Sequence, residues 1–302
     1  MSLAHWIATT RPRTLPAGIV PVAAGAALAG TVTTLHWPSL IACAVGGLLI
    51  QIGTNFANDA FDALKGADTA ERVGPTRAVA SGLISPRAML IATAVVLLIA
   101  LGIGIYLGLH AGWWLFALGV VSLVCAVAYT GGPFPLAYHG LGDVFVFVFF
   151  GLFAVLGTAW TQVAPTGIEG APLGLPLWWW LVAAALGLQA TAILAVNNLR
   201  DIPTDAAAGK RTLAVRLGAT LTRWYNLGLH LVAGACYGVA ALLAAQPWLA
   251  LPSAVALLAG GVIAWRVFQE EGPALNRQLA RSALVELISG LSVVVVCIVT
   301  ST

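Results

Sequence analysis

The chain has 302 residues, 60% of them hydrophobic and only 8% charged, with a formal net charge of +3. A soluble domain carries about 25% charged residues and has no core large enough to bury this much apolar surface. The composition therefore excludes a water-soluble fold and defines a polytopic membrane protein, and so small a net charge gives no footing for nucleic acid.

Nine apolar stretches are long enough to cross a bilayer, since about 20 helical residues span the hydrocarbon. They are 16–35, 38–58, 88–108, 112–130, 142–162, 177–199, 223–244, 248–267 and 281–300. The expected architecture is thus all-α, about nine transmembrane helices in a single domain over 1–302, with no soluble domain, long linker or low-complexity tract. The first stretch can be read as a signal peptide ending near Ala-Leu-Ala-Gly, but Pro16, Pro21 and the preceding Arg-Pro and Arg-Thr steps fit a retained span better. The four cysteines, Cys43, Cys125, Cys236 and Cys297, sit singly in apolar runs, as buried small hydrophobes rather than disulfide or zinc ligands. The five histidines show no ligand spacing.

Placing the cations orients the chain. Arg11 and Arg13 precede the first span; Lys65, Arg72, Arg77 and Arg87 lie between the second and third. Arg200, Lys210, Arg211, Arg216 and Arg223 lie between the sixth and seventh, and Arg266, Arg277 and Arg281 between the eighth and ninth. With nine spans these are all 14 basic residues on one side, and the opposite loops carry none. The positive-inside rule makes that side cytoplasmic, with the N-terminus inside and the C-terminus outside, in a cytoplasmic (inner) membrane. Tryptophans such as Trp113, Trp114, Trp178, Trp179 and Trp180 cluster at span ends as an aromatic belt. Glu286, about one turn inside the last span, either pairs with Arg281 or Arg266 or has a functional role, with pairing the expected reading.

Two polar clusters interrupt the apolar sequence at the cytoplasmic span ends. The first holds Asn58, Asp59, Asp62 and Asp68, followed by Arg72 and Arg77; the second holds Asn197, Asn198, Arg200, Asp201, Asp205, Lys210 and Arg211. Asn58 and Asp62 are four residues apart, as are Asn197 and Asp201, so each pair shares a helix face. An ionised Asp at the bilayer centre costs about 2.5–3.5 kcal/mol even on the mildest scale, so these groups must line a polar cavity near the inner surface. Magnesium takes carboxylate oxygens and keeps room for phosphate oxygens. Facing acidic clusters backed by Arg72, Arg77, Lys210 and Arg211 therefore suit a metal-bound diphosphate. Gly66, Gly74-Pro75 and Gly209 let the covering loops turn, and Pro203 predicts a helix break between Asp201 and Asp205.

The stretches NDAFDALKGAD, YTGGPFPLAYHGLGD and NNLRDIPTDAAAGKRTLAVRLG resemble the UbiA superfamily of intramembrane prenyltransferases, and RPRTLPAGIVPVAAGAALA resembles the opening of its menaquinone branch. The resemblance implies a ring of helices around a central cavity open sideways to lipid, with cytoplasmic loops over the site. It also implies Mg2+-dependent transfer of a polyprenyl group from its diphosphate to an aromatic acid, with the metal and diphosphate roles on Asn58, Asp62, Asn197, Asp201 and Asp205 and support from Asp59 and Asp68. Asp62, Asp201 and Asp59 are the catalytic candidates. Many relatives carry a third Asp where this chain has Gly66, and a Lys in the loop that here runs without one from Pro133 to Ala137. Tyr129, Tyr138 and Asp143 are the polar candidates there. Within this class 1,4-dihydroxy-2-naphthoate is the implied acceptor, with 4-hydroxybenzoate, homogentisate and haem as alternatives. The rival class is a cation-coupled transporter, which predicts ionisable groups near mid-membrane and broken helices in two related halves.

Overall fold

In a computed structural model, residues 2–12, 14–66, 77–166 and 174–301 of the chain are described. Asp68, Arg72, Gly74-Pro75 and Glu169 lie outside the described residues. Among the described residues the regular structure is entirely helical. After a short α1 (Leu3–Thr9), the chain forms α2 (Pro16–Gly30), α3 (Trp37–Leu64), α4 (Pro86–Ala111) and α5 (Trp113–Ala128). It continues through α6 (Gly142–Thr166), α7 (Leu177–Arg200), a short α8 (Ile202–Ala207), α9 (Leu213–Leu243), α10 (Pro247–Gln269) and α11 (Leu275–Ser301).

Seven of these, α3, α4, α6, α7, α9, α10 and the α11 region, are long and apolar enough to cross a membrane. The first and fourth expected spans are shorter apolar helices, α2 with 15 residues and α5 with 16. At 1.5 Å per residue, helices of this length extend roughly 22–24 Å, short of a bilayer's hydrocarbon thickness. Local chemistry sets the boundaries. Pro38 and Pro86 sit in the first turns of α3 and α4, where a missing N–H costs nothing, and Ser85 Oγ accepts from Ala88 N at 3.3 Å. Thr212 caps α9 in the same way through Val215 N at 3.3 Å. The break expected at Pro203 is present: α7 ends at Arg200, and α8 restarts with Pro203 in its first turn.

α7 is the central post. Within its apolar window 67% of residues are buried by protein, the largest share of any long helix, and it packs on α9, α11 and α6. Lipid offers apolar side chains as good an environment as protein does, so close backbone approach must hold such helices together. Gly151 and Gly187 supply it: a Cβ added at Gly187 would lie 2.6 Å from the Phe147 carbonyl oxygen and 3.0 Å from Gly151 Cα. Gly151 falls in a π-helical turn, Phe147–Phe153, whose wider winding brings α6 against α7 at that point. At the far end, His36 N donates to Gln162 Oε1 at 2.7 Å and Gln162 Nε2 donates to Ser39 Oγ at 2.9 Å, tying α3 to α6. His36 also stacks on His110, with centroids 4.5 Å apart.

The cysteines are free, as their dispersion implied. Glu286 departs from expectation. It is fully buried, neither carboxyl oxygen has a hydrogen-bond partner, and Arg281 bonds Gln278 Oε1 at 3.4 Å instead. The α11 register turns Glu286 inward with Gln278, Ser282 and Ser289, all fully buried, while the Arg281 side of the helix stays outward.

Substituting Gly187→Ala forces backbone apart and should lower stability by about 1–3 kcal/mol. Gly261→Ala, whose Cβ would meet nothing within 4 Å, serves as the control. Thermal unfolding of both variants in detergent reads the difference, with only Gly187→Ala expected to melt early.

Candidate active site

The site lies where the C-terminal end of α3, the loop 129–141 and the stretch from α7 to α9 converge. Asp62 is its centre. It is buried near the end of α3, and three residues from outside α3 hold it. Lys210 Nζ donates to Asp62 Oδ2 at 2.9 Å, Arg77 Nη2 donates to the same oxygen at 3.3 Å, and the Tyr138 hydroxyl donates to Oδ1 at 3.0 Å. Lys210 belongs to the second sequence cluster, 148 residues downstream, so this pair joins the two clusters. Lys210 N also donates to the Asp205 carbonyl at 2.8 Å, which ties the cation back to α8.

The rest of the first cluster is equally engaged. Asn58 Oδ1 accepts from the Thr130 hydroxyl at 2.8 Å. Asp59 accepts from Ala78 N at 3.1 Å and Val79 N at 2.8 Å, fastening the chain that returns beyond residue 76. In the second cluster Arg200 grips Asp201 with two bonds, Nε to Oδ1 at 2.7 Å and Nη2 to Oδ2 at 2.6 Å. Arg200 also reaches Asn197 Oδ1 at 2.9 Å and Asn276 Oδ1 at 2.6 Å, and Asn197 Nδ2 lies 3.5 Å from Asp201 Oδ2. Tyr129 stands within electrostatic range of Asp143, Asp62, Asp205 and Arg11, so one phenol faces acids of both clusters.

Two hollows flank this constellation. A cavity of about 330 Å3 runs among α2, α3, α4, α5 and α6. Its wall is apolar, with Phe145, Phe149 and Phe153 from α6, and Gln51, Asn55 and Tyr129 supply polar groups. Asn55 Nδ2 bonds the Thr10 carbonyl at 3.1 Å and Gln51 Nε2 the Thr14 carbonyl at 2.9 Å. These bonds brace the turn at Arg11, which holds a left-handed φ of 55°; strain of this kind gathers at functional sites. A second recess is lined by Tyr138 and includes the exposed Arg211.

Oxygen donors of the kind magnesium prefers are thus gathered at one end of the bundle. Among the described residues, however, no three of His, Cys, Asp or Glu stand together as a ready metal set. Arg77, Lys210 and Arg200 occupy the carboxylates, supplying the positive charge that a bound cation would bring. The donor chemistry fits a hard divalent ion whose remaining ligands come from phosphate and water.

Lys65 is the residue that sequence reasoning passed over, counting it only for topology. Its Nζ donates to the Thr130 carbonyl at 2.7 Å and lies 4.7 Å above the Tyr138 ring, with Lys210 Nζ 5.0 Å from the same ring. Partial burial lowers its pKa, which Asp62 counteracts and Lys210 reinforces. The signal was available: Lys65 follows Asp62 by three residues and so shares its face. Asn276, alone near the start of α11, gave none.

Paired acid–amide motifs facing a nest of cations, at one end of an all-helical membrane bundle, define a protein built to handle a polyanion beside an apolar chamber. The chain belongs to the UbiA prenyltransferase family, whose model matches residues 18–285. It is 44% identical over 251 residues to the 1,4-dihydroxy-2-naphthoate octaprenyltransferase of Mycobacterium tuberculosis (strain ATCC 25618 / H37Rv), covering 82% of this chain and 80% of that one. It is 38% identical over 268 residues to the enzyme of the same name from Escherichia coli (strain K12), covering 84% and 82%. The fold matches an apo UbiA homolog from Aeropyrum pernix K1 with a TM-score of 0.71 at 19% identity, over 93% of this chain and 97% of that one. It also matches a UbiA homolog from Archaeoglobus fulgidus bound to DMAPP and Mg2+, with a TM-score of 0.65 at 14% identity, over 96% and 99%.

Removing one partner of a buried ion pair strands the other. Arg200→Met should therefore destabilise the protein by about 3 kcal/mol, and Arg200→Met/Asp201→Asn should recover much of that loss. Unfolding of the two variants in detergent measures both.

Proposed function

We propose that the chain is an integral membrane enzyme that moves a polyprenyl group from its diphosphate to 1,4-dihydroxy-2-naphthoate, releasing CO2 and pyrophosphate and forming the hydroquinone demethylmenaquinol, the reduced form of demethylmenaquinone. The observation that carries the acceptor is the 44% identity, over four-fifths of both chains, with a relative bearing that activity as its name. What carries the chemistry is the Lys210–Asp62 contact, which brings the two polar clusters into one site. In this reading α2 and α5 cross the membrane as well, making nine spans around the apolar cavity. The site faces the cytoplasm of an inner membrane, with the C-terminus outside.

Asn58, Asp62, Asn197, Asp201 and Asp205 would hold Mg2+, with Asp68 in support. Bound there, the ion would draw electron density from the diphosphate as the allylic C–O bond opens. The chain's own residues do the rest. Arg77 and Lys210 exchange Asp62 for phosphate oxygens and, with Arg72, stabilise the charge collecting on the leaving group, while Arg211 stands exposed in the recess beside Tyr138. The Tyr138 hydroxyl stays near that departing oxygen, and Tyr129 and Asp59 hold the surrounding frame. The apolar cavity keeps water from the allylic cation, which hydrolysis would otherwise consume. The naphthoate attacks through the ring carbon bearing its carboxylate; a C–C bond forms there, and the C–CO2 bond then gives its electron pair back to the ring. Loss of CO2 restores aromaticity, so that carbon needs no base from the protein.

Asp62→Ala and Asp201→Ala should each lower transfer roughly 100-fold or more, with the protein still inserted. Mass detection of product from one polyprenyl diphosphate and a panel of aromatic acids tests both the variants and the acceptor. Wild-type turnover in either variant contradicts the site, and product with 4-hydroxybenzoate alone contradicts the acceptor. For orientation, single cysteines at Lys65 and Ser81 should react with an impermeant reagent only from the cytoplasmic side. Labelling from outside reverses the topology.

A further inference from the structure

We propose that the recess beside Tyr138 is a second oxyanion site, which receives the inorganic pyrophosphate freed by transfer and passes it to water. The identity of the anion rests on the transferase reading above; the site itself rests on geometry. The recess has a volume of about 540 Å3 and includes Lys65, Tyr138, His139, Gly209, Arg211 and Arg216 in its lining. Its three cations come from separate places: the end of α3, the loop before α9, and the first turns of α9.

Among the described residues none of those cations makes an ion pair at contact distance, although Asp62 lies within electrostatic range of Lys65. Lys65 bonds the Thr130 carbonyl at 2.7 Å. Arg216 bonds the His139 carbonyl at 2.8 Å and the Arg211 carbonyl at 3.1 Å. The Arg211 side chain is exposed. Five other cations are ion-paired among the described residues: Arg77 and Lys210 with Asp62, Arg200 with Asp201, Arg223 with Glu271 and Arg277 with Glu270. Three cations without a contact ion pair converging on one concavity attract a compact polyanion.

Tyr138 links the recess to Asp62. Its hydroxyl bonds Asp62 at 3.0 Å, while Lys210 and Lys65 lie over its ring at 5.0 and 4.7 Å. Lys210 also contacts Asp62, whereas Lys65 lines the recess. An anion leaving Lys210 thus finds a second ammonium against the same ring, and Arg211 and Arg216 line the recess with it.

The test is binding of radiolabelled pyrophosphate to the full chain in detergent with EDTA, where metal-dependent binding of a prenyl diphosphate is switched off. Saturable, salt-sensitive binding is expected, about 10-fold weaker in Lys65→Met and in Arg216→Gln, with Lys65→Arg retaining wild-type affinity. Lys65 is exposed and makes one backbone bond, so the Lys65 pair remains decisive if Arg216→Gln fails to fold. Absence of saturable binding, equal affinity in wild type and Lys65→Met, or equal loss in Lys65→Arg overturns the proposal. Repeating the titration in nanodiscs of neutral and of anionic phospholipid separates the two sources of phosphate. Affinity independent of headgroup supports the product site, and competitive displacement by anionic lipid assigns the recess to a headgroup and overturns it. A chain that binds pyrophosphate in this pattern yet prenylates no acceptor retains the oxyanion site and loses the transferase reading.

Discussion

A buried carboxylate held by two cations and a phenol is the constraint on which the site depends. Asp62 sits at the end of a membrane-length helix, where an unpaired charge is costly to bury. Lys210 and Arg77 meet that cost from two separate downstream segments, one from the loop before α9 and one from the return beyond residue 76. The same pairing decides the fold locally, because Lys210 reaches Asp62 only if the α8–α9 connection lies over the end of α3. Asp201 answers the same problem with a partner next to it in sequence, Arg200, itself steadied by Asn197 and Asn276.

The polar end has to be held against an apolar bundle that gains nothing from burying oil in oil. Close backbone contact does this, at Gly151 on Gly187 and at Gly25, where a Cβ would fall against the Val155 carbonyl. These approaches leave the chamber walled by α6 open enough to admit an apolar ligand beside the charges. Arg77 and Lys210 each have two uses in this account, as the countercharge of the resting acid and as ligands of the phosphate that displaces it.

Much of this was legible before any coordinates. Spans of apolar residues, the one-sided distribution of Arg and Lys, and the Asn-x-x-x-Asp pairs all follow from helix periodicity and the cost of charge in lipid. The helix break at Asp201 followed from Pro203, whose ring cannot continue the turn before it. Pairing at a distance was not legible. Lys210 looked like one cation of a loop, and only the placing of the α8–α9 connection at the end of α3 makes it the partner of Asp62. Glu286 shows the reverse failure: a basic neighbour in sequence suggested a pair, but the helix register turns the acid inward, away from Arg281. The lengths of α2 and α5 were overestimated because hydropathy runs on through residues that the backbone has already turned, at Thr31 and at Gly112, where φ is 111°.

The central claim is that both clusters serve one metal-bound diphosphate. Anomalous scattering from Mn2+ in crystals grown with a non-reacting allylic diphosphate analogue tests it most directly. The account predicts Mn2+ ligated from both Asp62 and Asp201 on a single diphosphate, with Lys210 moved from Asp62 to phosphate oxygen. Metal and diphosphate bound away from either carboxylate, or held by one cluster alone, would contradict it.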